Sequence, residues 1–142
     1  MEVVVLVVEA QQELREQLAK DLLEHAAAPE GIEVREWQID PVTGSLDPAG
    51  LAALLADGRV KLVAFPHCSN VVAEINDVAA ICEIARAAGA RTVVDGVSYA
   101  PHGFPDFPGL GCDVYLFSAY KTYGPHQGIM VITEDFGAEL PA

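Results

Sequence analysis

The hydrophobic positions of this chain change period from segment to segment, and each change marks an element. Val3–Val8 is an unbroken apolar run, as expected of a strand covered on both faces. From 11 to 28, Leu14, Leu18 and Leu22 recur every fourth residue among charges, and Pro29 and Gly31 close the segment, which predicts an amphipathic helix. "IEVREWQI" (32–39) alternates apolar and polar residues, as an edge strand does, and "DPVTG" reads as a turn. Asp47 as N-cap and Pro48 in the first turn open a short helix reaching about Ala56. Val60–Phe65 predicts a third strand, stopped by Pro66. A helix starting at Asn76 or Asp77 runs through Ala88, with Val78, Ile81, Cys82 and Ala85 on one face and Gly89 ending it. "RTVVD", "VYLFS" and "GIMVIT" supply strands four, five and six.

Alternating strands and helices predict an α/β fold with a mostly parallel sheet and right-handed crossovers. The simplest arrangement is three-layer and doubly wound, with order 2-1-3-4-5. The sixth strand is expected antiparallel beside the fifth, because about nine residues between them are too few for a helical crossover. No repeat, low-complexity tract or linker divides the chain, so 1–142 reads as one α/β domain.

Composition narrows the function. With 51% hydrophobic and 20% charged residues the chain reads as a soluble globule, and no apolar run approaches the roughly 20 residues that span a bilayer. "MEVVVLVVEA" has neither a basic flank nor a small-residue cleavage site, so it reads as a buried strand rather than a signal peptide. A formal charge of −13, from 21 acidic and 8 basic residues, argues against nucleic acid and anionic membrane as partners. Cys68, Cys82 and Cys112 have no C-x-x-C spacing, which predicts reduced thiols in a cytoplasmic setting and neither a disulfide framework nor a metal site.

In a parallel sheet, ligands gather at the carboxyl ends of the strands. Strand three is followed by "PHCSN" (66–70), strand four by "DGVSYAPH" (95–102) and strand five by "SAYKTYGPHQG" (118–128). Singly, these residues have plain structural readings. Asp95 before Gly96 is a turn signal, Ser69 and Asn70 suit a helix cap, and Lys121 suits a solvated surface. Jointly they put a carboxylate and an amine on neighbouring strand ends of one rim.

The stretch "HCSNVVAEINDVAAICEIARAAGARTVVDGVSYAPH…GCDVYLFSAYKTYGPHQGIMVI" resembles the class V aminotransferases, close to the cysteine desulfurase-like enzymes, which are pyridoxal-phosphate (PLP) enzymes of fold type I. The resemblance runs from about Glu33 to Thr133 and rests on an Asn after one strand, an Asp after the next and S-x-x-K after the third. It implies that Lys121 forms the Schiff base with PLP and that Asp95 pairs with the pyridine nitrogen. It also implies that Asn70 lies near the ring hydroxyl and that Ser118 contacts the phosphate. Ser98 falls where relatives often carry Gln, and Tyr120 replaces the more usual His beside the lysine. An amino acid is the implied small-molecule substrate and a homodimer the implied assembly.

The departures shape the expectation as much as the matches do. Relatives are commonly near three times this length, with a phosphate-cradling loop before this region and a carboxylate-binding arginine after it. No lysine or arginine follows Lys121 in this sequence, and "VEAQQ" has Ala10 after Glu9 where the family places its ring-stacking histidine. Ala73 takes the place of an expected glycine. Neither Cys68 nor Cys112 stands where the mobile cysteine of desulfurases lies. The helix predicted over 11–28 has an idealised, regularly charged face. The chain therefore reads as an excised or redesigned core of such an enzyme, with weak PLP binding at most. The alternative is a non-catalytic flavodoxin-like scaffold with no cofactor. A flavin-binding flavodoxin is disfavoured, because "EAQQE" offers no Ser/Thr/Gly-rich phosphate loop after the first strand.

Overall fold

The structure is a computed structural model that describes residues 3–6 and 31–140. The helix predicted over 11–28, and Val7 and Val8 of the first predicted strand, lie outside the described residues. Six strands form one sheet: β1 (Val3–Leu6), β2 (Glu33–Glu36), β3 (Val60–Pro66), β4 (Arg91–Asp95), β5 (Val114–Ser118) and β6 (Gly128–Ile132). Their order is β2-β1-β3-β4-β5-β6, every neighbouring pair being parallel except β5 with β6. The fold is thus α/β with a mostly parallel sheet.

The helices start where side-chain caps dictate. α1 (Pro48–Leu55) is capped by Asp47, whose carboxylate accepts from the Ala49 N–H at 3.0 Å. α2 (Val78–Ala87) is capped by Asp77, which accepts from the Ala80 N–H at 3.1 Å. Gly89, in the left-handed region at φ 79°, follows the end of α2. α2 lays Val78, Ile81, Cys82 and Ala85 on the sheet, and the Cys82 thiol reaches the Thr92 hydroxyl of β4 at 3.7 Å. The face toward α2 therefore carries Thr92 and Val94, with Val63 and Phe65 from β3 and Tyr115 and Phe117 from β5. Burying each of the larger apolar side chains contributes about 1.5–3 kcal/mol.

Several predicted boundaries move, the sixth strand ending at Ile132 among them. The second strand ends at Glu36, because Trp37 turns into the core (2% exposed), where its indole N–H donates to the Asp47 carbonyl at 3.1 Å. The chain then doubles back through an Asp40 turn, and Ile39 bridges antiparallel to Leu46. The third strand includes Pro66, which faces Asp95 in the register. Two short helices went unpredicted, α3 (Phe107–Leu110) and α4 (Glu134–Glu139).

Candidate functional site

Three parallel strands deliver their carboxyl ends to one rim. Pro66 of β3 is opposite Asp95 of β4, and Asp95 is opposite Leu116 of β5. The strands are locked there by the His67 N–H donating to the Asp95 carbonyl at 2.8 Å and the Gly96 N–H donating to the Leu116 carbonyl at 2.7 Å. Because side chains alternate along a strand and register partners share a face, Asp95, Leu116 and Ser118 lie on the face turned away from α2.

Asp95 is exposed, and one carboxylate oxygen accepts from the Val97 N–H at 2.8 Å. No other bond to that carboxylate occurs among the described residues. Ser118 closes β5, half-buried and opposite Gly128. Lys121 follows on a 3-10 turn, Ala119–Thr122, that the Thr122 hydroxyl caps by donating to the Ala119 carbonyl at 2.8 Å. Its ammonium is exposed, makes no ion pair among the described residues and stands 6.0 Å from the centre of the Tyr120 ring. Tyr120 stacks on His126 with ring centres 5.2 Å apart. The turn Ala100–His102, which ends the loop after β4, lies against the Lys121 turn. Ser98 sits half-buried in the stretch that leads from Asp95 to Ala100.

Asn70 is exposed in the loop after β3, a loop shaped by the Ser69 hydroxyl accepting from the Val71 and Val72 N–H groups at 3.1 Å each. Its side chain makes no hydrogen bond to Asp95 or Lys121. The three loops share a rim, therefore, without their polar ends being bonded to one another.

Behind the rim lies a buried cluster that the sequence motifs do not single out as a site. His67, 6% exposed, stacks on Tyr99 at 3.7 Å and 11°, and its Nδ1 is 2.9 Å from the Tyr115 phenol oxygen. Burial lowers the His67 pKa below its ordinary value and raises that of Tyr115, so both are neutral in the fold. A tyrosine inside the otherwise apolar "VYLFS" was the available signal, since a buried phenol must find a partner. A separate cleft of about 570 Å³ opens among Arg86, Arg91, Phe107, Asp113 and Thr133, at the amino ends of β4 and β5, and includes none of the rim residues. Its Arg91 is committed to Asp113 at 2.8 Å and to Glu139.

The donor set on the rim fits PLP. An exposed carboxylate suits a pyridine nitrogen, an unpaired amine suits an aldehyde, and a hydroxyl and a carboxamide suit the phosphate and ring oxygen. Among the described residues no group of three or more His, Cys, Asp or Glu side chains is arranged to hold a metal ion. Nor is any helix there long and apolar enough to cross a membrane.

Comparison with known proteins is consistent throughout. The Aminotransferase class-V family description matches residues 11–141. An aminotransferase-like protein of Gibberella zeae is 39% identical over 118 residues, which is 82% of this chain and 29% of that protein. A cysteine desulfurase of Yersinia pestis is 40% identical over 102 residues, 72% of this chain and 24% of that protein. Among solved structures, the cysteine desulfurase CsdA from Escherichia coli superposes with a TM-score of 0.76 at 26% identity, covering 94% of this chain and 32% of that one. The chain thus spans less than a third of the length of these relatives.

Proposed function

Because the chain belongs to the class V aminotransferase family, we propose that it is the cofactor-holding part of a PLP-dependent, cysteine desulfurase-like enzyme that acts on an amino acid. The observation that carries this reading is Asp95 and Lys121 at the carboxyl ends of adjacent parallel strands. When bound, PLP supplies an electron sink for charge that develops on an amino-acid substrate.

The chain's own residues would divide the remaining work. Lys121 would hold the cofactor through its amine, a compact donor that can lose its proton once covered, which a guanidinium cannot do. Asp95, held by the Val97 N–H, would keep a proton on the ring nitrogen. Ser118 and Tyr120 would each offer one hydroxyl, and Asn70 and Ser98 polar contacts at the ring's edge. This division of roles rests on the family motif and on the shared rim. The finer fold reading, a three-layer doubly wound domain, belongs to the same proposal.

The test is chemical. Incubation with PLP followed by borohydride reduction should leave a pyridoxyl group on Lys121, located by mass spectrometry and lost in Lys121→Ala. Labelling spread over Lys20 and Lys61, or none, would favour a cofactor-free scaffold instead.

A further inference from the structure

The Asp95 turn is held from the side of the sheet opposite its carboxylate. Tyr115 faces Val94 in the register and points toward the α2 face, whereas Asp95 and Ser118 point away from it. The Tyr115 ring runs under Gly96 so closely that a Cβ there would lie 2.2 Å from it, which leaves glycine as the residue that fits. His67 touches the same turn twice. Its N–H donates to the Asp95 carbonyl, and its ring stacks on Tyr99. The hydrogen bond between His67 and Tyr115 joins these contacts, and Tyr115 lies in the strand that leads to Ser118 and Lys121.

We propose that His67 and Tyr115 are a pair of positioning residues that set the Asp95 turn relative to the Lys121 strand from behind. One bond between rings on β5 and on the loop after β3 spans the turn that carries the carboxylate, so its loss frees that turn without unpacking the core. Both partners are uncharged, so holding the turn this way buries no charge. Cys112, Tyr99, Asp95 and Cys68 are the other titratable groups around the pair, and the Asp95 carboxylate lies on the far face of the sheet. The inference deepens the PLP reading and rests on it for its consequence, but its structural core can be tested without cofactor.

Tyr115→Phe keeps the ring under Gly96 and removes only the hydroxyl, and His67→Phe keeps a flat ring on Tyr99 and serves as the second variant. In the cofactor-free chain, amide hydrogen exchange should quicken about tenfold at His67, Gly96 and Val97, with no change at Ile81 and Ala85 in α2. Uniform quickening across all amides would reveal a merely structural bond and overturn the proposal, as would exchange equal to the parent protein's. With PLP and borohydride, Lys121 labelling should slow about fivefold in Tyr115→Phe while Lys20 and Lys61 react as before. Labelling at the parent's rate on Lys121 would also overturn it. If the parent chain takes no label on Lys121 but the variants show the localised exchange effect, the cofactor reading fails and the tie between turn and strand stands.

Discussion

Ala73 holds the left-handed conformation at φ 58°, where a Cβ costs about 1–2 kcal/mol and glycine costs nothing sterically. The glycine expected at this place would therefore have a conformational reason. Ala73→Gly should stabilise the fold by a net of about 0.5 kcal/mol, strain relief being partly offset by the greater freedom of glycine in the unfolded chain. Urea unfolding would measure it, and a lower midpoint would rule out strain at that residue. At this scale the placement of the polar residues on the rim was legible. Asp95, Ser118 and Lys121 stand out because polar residues directly after apolar runs land on a sheet rim. The His67–Tyr115 bond was not, because its partners are 48 residues apart and only the pairing of β3, β4 and β5 brings them together.

At the scale of elements, Asp113 fastens the start of β5 to the start of β4. One of its oxygens accepts from the Thr92 N–H at 2.8 Å and from the Thr92 hydroxyl at 3.0 Å, and the other from Arg91 at 2.8 Å. Its own N–H donates back to the Thr92 oxygen at 3.1 Å, and its carbonyl accepts from the Thr133 N–H at 2.9 Å. Thr92 is 1% exposed, so Asp113→Ala would strand a buried backbone donor. We expect a loss of about 2–3 kcal/mol by chemical denaturation, and a loss below about 0.5 kcal/mol would show that the clasp is dispensable. The caps at Asp47 and Asp77 were readable from sequence, being contacts over two or three residues. α3 and α4, of four and six residues, are too short to show a helical period.

Across the whole molecule, the sheet ends on a strand without a charge. Gly128–Ile132 forms the edge, with Ile129 at 40%, Met130 at 65% and Val131 at 38% exposure. Edge strands of soluble proteins are commonly guarded by lysine, proline or a bulge, and β6 has none of these. Self-association through this edge is the expected consequence, in spite of the mutual repulsion of a −13 chain. Met130→Lys should weaken it by about tenfold or more, since burial of one such side chain is worth about 1.5–3 kcal/mol. Sedimentation across a concentration series would decide, and a parent chain that stays monomeric throughout would sink the idea.

The order of letters alone determined, to within a residue or so, where the six strands and the helices α1 and α2 begin, and which polar residues follow each strand. Those properties arise between residues a few positions apart, so periodicity and capping chemistry express them directly. Tertiary structure alone decided that Trp37 leaves its strand for the core, that Ala73 is strained, and that a buried ring pair stands behind the Asp95 turn. Each of these depends on which strands become neighbours, and closing the long loops that join them is a property of the whole chain rather than of any window along it.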